Sequence, residues 1–562
     1  MLRKGKALAL LGVIALAVFA LIYFGIRFTS NWGKSSTQIT AEDAAKQLDK
    51  LYRNINVTVA DPVKGQIDLD PVDVAESLPD ISKFAVSVPN ASEHFVEIFS
   101  STEKSGTGND GWLNEVAAAF NSGSPQVNGN TVSVRIRNIA SGTAADYIRS
   151  GKYVPDAFTP SNELWGEMVA AAGINVQQIS KRLAGNVAGV VTNEAKYNKL
   201  VEKYGSLNVK TITEAIADNE LAMGYTDPFA SSTGLNFLVS ALGTFDSSNL
   251  LSAQAVAGFE KFQANVPFIA STTLQMRDAA TTGMLDAFVL EYQTYANTPD
   301  LKSGYVFTPF GVRHDSPLYA LGELPQEKLD ILTTFAAFAE QEKYQKLAAD
   351  KGFNGLDDYV SELAPVDGAT LTAAQKVWKE KKNAQQPIAA VFVADVSGSM
   401  SGEPLQRLKE SLLKGQKFLG RDNSIGFVSY SDNVSIQLPI GVYDTNQQSM
   451  FVGAINSLQA NGGTATFDGI AVAIHMLQAE LAQHPGLKPV IFVLSDGETN
   501  QGHSLNEIRE LIETYRIPIY TIGYNANIQA LESISSINEA NSINADTDDV
   551  VYKIGNLLNV QM

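Results

Sequence analysis

The 562-residue chain is 45% hydrophobic and 18% charged, carries a formal net charge of -18 and contains no cysteine. Such a composition describes folded protein, and the length calls for about three domains. The acidic balance argues against a nucleic-acid partner, because phosphate affinity comes from clustered Lys and Arg. Absence of cysteine excludes disulfides, thiolate catalysis and zinc–thiolate sites, without fixing the compartment.

The chain opens with "MLRKGKALALLGVIALAVFALIYFGIRF", in which Arg3, Lys4 and Lys6 precede an apolar run from Ala7 to Phe28. A helix of roughly 20 such residues spans about 30 Å, the thickness of a bilayer core. The small-residue cleavage site of a secretory signal is not obvious, so an uncleaved anchor is favoured over a cleaved signal. The expectation is a cytoplasmic terminus over 1–6, one transmembrane helix over 7–28, and a single-pass cell-membrane protein with its bulk extracytoplasmic. Residues 29–91 are polar with scattered Pro and Asp and read as a juxtamembrane stalk, with one short helix over "AEDAAKQLDKLYRNI".

From 92 to 364, short apolar segments such as "HFVEIFSS", "TVSVRIRNI", "NVAGVVTN" and "LAMGYTD" alternate with helical patterns such as "DGWLNEVAAAFNS" and "TGLNFLVSALG". That alternation predicts parallel sheets covered by helices, in one or two lobes. The lysine-rich stretch ending at Pro387 reads as a linker over 365–387. A second α/β domain follows over 388–562, with strands at "IAAVFVAD", "NSIGFVSYS", "NVSIQLPI", "LKPVIFVLSD" and "RIPIYTIGY". Several are apolar nearly throughout, as in a parallel sheet buried on both faces.

Ligands of open α/β sheets bind beyond the carboxyl ends of the strands. Three loops of the last domain fall there: "DVSGSM", "NGGTATFDG" and "LSDGETN". They supply Asp395, Ser397, Ser399, Thr464 and Asp496, all oxygen donors with no histidine nearby. Hard oxygens and few carboxylates suit magnesium, which prefers octahedral geometry and retains water or an outside ligand. "DVSGS" alone is equally an Asx-turn or a helix cap. An acyl-phosphate phosphatase needs a second Asp where Ser397 stands, and the glycine preceding a serine-hydrolase nucleophile is missing. His475 lies in an apolar helical pattern and reads as packed.

The three loops together resemble the metal-ion-dependent adhesion site of the von Willebrand factor A (VWA) family. Asp395, Ser397 and Ser399 match its Asp-x-Ser-x-Ser loop, Thr464 its distant Thr, and Asp496 its later Asp-Gly loop. The resemblance implies a Rossmann-like domain that binds Mg2+ or Mn2+ and, through it, an acidic side chain of a protein partner. In the middle domain, "VEIFSSTEKSGTGNDGW" and "GYTDPFASSTGLNFLVSAL" place polar loops at helix N-termini, where N–H groups favour an anion or carboxylate. They resemble the ligand loops of two-lobed bacterial periplasmic solute-binding proteins. "FVLEYQTYA" and "YVFTPFGVRHDSPLYAL" resemble a strand near the cleft and a later crossover. Ser101, Thr102, Tyr225, Thr226, Ser231, Ser232, Thr233 and Glu291 are the candidates for lining such a cleft, although turn-filling and helix-capping explain any of them equally well.

The sequence therefore predicts an α/β chain with an anchor, a two-lobed solute-binding-like domain and a VWA-like domain that binds and does not catalyse. The alternative is a solute receptor for transport or sensing, with the last domain as its docking module. A metal-dependent hydrolase ranks last.

Overall fold

The structure is a computed structural model that describes residues 40–67, 74–266, 268–270, 276–277, 285–361, 363–382, 387–497, 499–524, 528–535, 542–545 and 557–558. The expected membrane-spanning segment, 7–28, lies outside them; among the described residues no helix is long and apolar enough to cross a membrane.

Ile388–Asp395, buried at every position, is the central strand of the carboxy-terminal sheet. The order across that sheet is Val57–Val59, Val434–Val442, Ser424–Tyr430, Ile388–Asp395, Lys488–Ser495, Ile519–Tyr524 and Ser542–Ala545. Only Val434–Val442 and the strand beside it run against the rest. Helices cover both faces, so Ala390 and Phe392 point into one core while Val391 and Val393 point into another. This is why the strand reads as continuous apolar sequence.

Residues 41–59 correct the expected stalk, because they complete this sheet. Thr40 caps the helix Ala41–Asn54 by accepting the Asp43 N–H, acidic residues occupy its first turn, and Arg53 lies in its last. Ala44, Leu48 and Leu51 form its buried stripe, which packs on the helices Thr466–Gln483 and Leu505–Tyr515. Burial of each leucine contributes roughly 1.5–3 kcal/mol. Tyr52 stacks on His475 with ring centroids 3.9 Å apart, so that histidine is packed as its pattern suggests. Val57–Val59 then pairs in parallel with Val434–Ile436 as an edge strand. Beyond it Gly65 meets Gly453 so closely that a Cβ on Gly453 would lie 1.9 Å from the Val63 carbonyl oxygen.

The middle domain has two sheets, as expected for two lobes. The first lobe orders Val86–Val88, Asn130–Asn138, His94–Ser100, Ala157–Thr159, Leu318–Leu321 and Val176–Ser180. The second orders Phe268–Ala270, Met223–Thr226, Ala287–Glu291, Val187–Asn193 and Tyr305–Arg313. The chain crosses between them after Ser180 and again between Arg313 and Leu318, the crossover its sequence suggested. The expected linker is also corrected. Gly368–Lys381 is a helix of this domain, packed on Leu164–Ala171 of one lobe and Ser232–Phe245 of the other. Leu371, Ala374, Gln375 and Trp378 form its buried face at helical spacing, and the lysines lie off that stripe. The middle domain thus runs from about residue 74 to Lys382 and is inserted between an edge strand and the central strand of the other domain.

Asp227 follows the strand Met223–Thr226 and is only 3% exposed. Burial pushes its carboxyl up to about 6, against the Phe229 N–H and the nearby Lys382 and Lys379 charges that favour the anion. A carboxyl raised on folding stabilises fully below its unfolded pKa and loses that contribution as pH rises through the folded value. Urea unfolding is therefore expected to lose about 2–3 kcal/mol from this group between pH 4 and 7. Asp227→Asn, which keeps an acceptor for Phe229, is expected to remove that share of the slope.

Candidate metal centre and solute cleft

Asp395 ends the central strand, fully buried, and its two oxygens are already engaged from below. Oδ1 accepts the Ser397 N–H at 2.8 Å and Oδ2 accepts the Ser495 hydroxyl at 2.6 Å. Ser399 Oγ donates to Asp496 Oδ1 at 3.0 Å, and with its proton spent there it accepts from Ser397 Oγ, also at 3.0 Å. The Thr464 loop is tied to both others. The Gly398 N–H donates to the Gly462 carbonyl at 2.9 Å, and the Asn500 N–H to the Thr464 carbonyl at 3.1 Å. The Thr464 N–H in turn donates to Asn500 Oδ1 at 2.8 Å. All five predicted residues are thus gathered at one sheet edge.

Asp395, Ser397 and Thr464 are buried, whereas Ser399 is exposed and Asp496 half-buried. The set therefore runs from the interior to the surface. Burial raises the Asp395 carboxyl above the usual range, and burial together with the Asp395 charge raises Asp496. Two carboxylates that disfavour each other's charge are relieved by a cation between them. Tyr430, the register partner of Asp395, sets its buried hydroxyl against the Asp395 carboxyl, Ser495 and Thr466, adding further oxygens beneath the site. These observations fit a divalent ion held by Asp395, Ser397, Ser399, Thr464 and Asp496. Among the described residues no cluster of three or more His, Asp or Glu side chains is placed to hold a metal, so any ion here depends on hydroxyls.

Sequence reasoning missed Ser495, Tyr430 and Asp432. Asp432, exposed in the turn after Ser424–Tyr430, accepts the Gly463 N–H at 2.7 Å and so braces the Thr464 loop. Beside it Asn433 Oδ1 accepts from Asn56 Nδ2 at 2.8 Å, a contact across 377 positions of chain. A polar residue closing an apolar strand was the available signal for Ser495; a contact of that separation leaves none.

In the middle domain the predicted residues divide. Ser101 Oγ accepts from Lys104 Nζ at 2.6 Å and from Ser161 Oγ at 3.1 Å. Ser232 Oγ accepts the Trp165 Nε1–H at 2.9 Å, and its carbonyl accepts from Asn162 Nδ2 at 3.2 Å, which bridges the lobes. Glu291 is 1% exposed and bonded to His314 and Asn186. Thr226 donates to Ser231 at 2.9 Å, Thr233 is fully buried and Thr102 is half-buried. Tyr225 is a correction. Its hydroxyl accepts from Trp378 Nε1 at 2.7 Å and donates to Gln263, inside the second lobe's core and away from the cleft. The residues the sequence did not name are Ser161, Asn162, Asn186 and His314. A groove of about 1040 Å³ on the second lobe, flanked by Lys210, Ser240, Gly311 and Tyr359, includes none of the predicted residues.

The fold has two parts, a two-lobed domain set into a Rossmann-like one. Residues 390–556 match the von Willebrand factor type A domain, and residues 105–354 match the bacterial extracellular solute-binding protein family. The chain is 32% identical over 178 residues to inter-alpha-trypsin inhibitor heavy chain H3 of Mesocricetus auratus, covering 29% of this chain and 20% of that one. It thus spans about a fifth of the length of the curated relatives it first matches. Among solved structures, the von Willebrand factor type A protein from Catenulispora acidiphila aligns with 18% identity over 31% of this chain and 42% of that one, TM-score 0.28. The sulfate-binding protein SubI from Mycobacterium tuberculosis aligns with 16% identity over 50% of this chain and 96% of its own, TM-score 0.35.

Proposed function

We propose that the chain is a membrane-anchored extracytoplasmic binding protein that engages an acidic side chain of a protein partner through a divalent cation, Mg2+ or Mn2+. The observation that carries this reading is the ring of bonds joining the Asp395, Thr464 and Asp496 loops at one exposed edge. With hydroxyls as most of its donors, such an ion keeps positive charge for an outside carboxylate. The inserted domain leaves that edge open. Val57–Val59 runs away from it, starting beside Asn433, and Ile388 re-enters at the opposite end of the central strand. The protein acts by binding, not by catalysis, and the middle domain offers a solute site.

Capture of partner proteins by the external region is the test. Recovery is expected with magnesium, and a loss of at least tenfold with EDTA, in Asp395→Ala and in Thr464→Ala. Capture indifferent to chelator and to both substitutions would sink the reading. The second reading, a solute receptor with the last domain as docking module, is favoured by the buried polar bonds that join the two lobes.

A further inference from the structure

Thr464 reaches the metal edge on a stretch of backbone that is held by another loop, not by the helix it precedes. Its carbonyl accepts the Asn500 N–H at 3.1 Å and the Gln501 N–H at 3.3 Å, and its own N–H donates to Asn500 Oδ1 at 2.8 Å. The Gln501 side chain lies over Gly463, where a Cβ would come within 2.7 Å of Gln501 Nε2. Residues 499–504 therefore set where Thr464 stands. They continue the loop that carries Asp496, so whatever fixes their far end also fixes the spacing of two of the five oxygen donors.

Asp468 fixes that end. It lies in the first turn of the helix Thr466–Gln483 and is 8% exposed. An acidic side chain there commonly turns back to the N–H at the head of its own helix. Here the Ala465 N–H already donates to the Ser431 carbonyl at 3.0 Å, which frees Asp468 for the loop. Asp468 Oδ1 accepts the His503 N–H at 3.0 Å and lies 2.6 Å from His503 Nδ1. An ionised carboxylate only accepts, so the ring carries a proton on Nδ1. Oδ2 faces Gly502, whose φ is +73° and where a Cβ would lie 2.5 Å from that oxygen. Position 502 thus requires glycine on two counts, its backbone conformation and the carboxylate packed against it. None of these contacts is shared with those that hold Asp395 and Asp496, which run through Ser397, Ser495 and Ser399.

We propose that Asp468 is a positioning residue of the metal centre. By gripping Gly502 and His503 it holds residues 499–504 against Thr464, and so sets the Thr464–Asp496 spacing that the cation needs. It acts through the loop and not on the ion. This rests on the reading of the sheet edge as a divalent-cation site.

The test is Mn2+ titration of the external region, read by calorimetry and by the paramagnetic resonance of free Mn2+, beside urea unfolding in EDTA. Asp468→Ala is expected to weaken Mn2+ binding about tenfold or more, the usual result of losing an outer partner of a metal ligand. Asp468→Asn, whose amide oxygen still accepts from both His503 donors, is expected to stay within about threefold of the unchanged protein. Gly502→Ala serves as the second variant should Asp468→Ala fail to fold, with the same loss expected. Unchanged Mn2+ affinity in either variant, whatever happens to its stability in EDTA, would make the contact a structural brace and overturn the proposal. A loss as large in Asp468→Asn as in Asp468→Ala would put the Asp468 charge at the ion itself and overturn it as well. Failure of the unchanged protein to bind Mn2+ overturns the cation site, and the proposal with it.

Discussion

An Asp395→Asn variant is expected to fold, to be at least as stable as the unchanged protein in EDTA, and to gain nothing from added magnesium. The amide keeps an acceptor for the Ser397 N–H, which sits 2.8 Å from Oδ1, so the turn retains its anchor. What it removes is a buried charge that the fold holds at a cost, as the raised carboxyls of Asp395 and Asp496 indicate. The unchanged protein, at magnesium a hundredfold above Kd, is expected to gain about 2.7 kcal/mol in the carboxy-terminal transition by mass action. Equal stabilisation of the two proteins by magnesium, read from urea curves with and without EDTA, would assign the metal to another place.

Trp378→Ala carries the second large effect. The side chain is fully buried between the lobes' helices and donates to Tyr225 at 2.7 Å. Truncating a buried tryptophan costs about 3–5 kcal/mol, through lost transfer energy and the cavity left behind. Trp378→Phe keeps most of the apolar area and gives up one hydrogen bond, worth about 1 kcal/mol, so it is expected to fall well short of that. The loss should appear in the middle-domain transition while the magnesium response persists. A loss under about 1 kcal/mol would return the helix Gly368–Lys381 to the status of a connector.

That helix shows where the sequence stopped being informative. The strands and loops of both domains carry local signals: continuous apolar runs, alternation, and glycine beside aspartate at strand ends. Strand Ile388–Asp395 was legible to the residue for that reason. Gly368–Lys381 carries lysines that suggest a solvated connector, and its buried stripe has a neighbour only once both lobes are assembled. Val57–Val59 is three residues long with one half-buried and two exposed positions, so its pairing with Val434–Ile436 has no periodicity to announce it. Tyr225 went astray through a one-residue parity. Thr226 turns toward Ser231 at the helix start, and its neighbour on the strand necessarily faces the opposite side. The five metal candidates were readable because each lies at the carboxyl end of a strand or the start of a helix. Their braces, Ser495 and Asp432, look like ordinary strand-end and turn residues until the sheet assembles.

Partner recognition through the last domain depends on a cation residing at that edge, and crystals of the external region grown with manganese can locate it by anomalous scattering. A single peak is expected within bonding distance of Ser397 and Ser399, beside Thr464 and the two aspartates, and it should vanish in Asp395→Asn. Density elsewhere, or no peak at saturating manganese, would contradict the account.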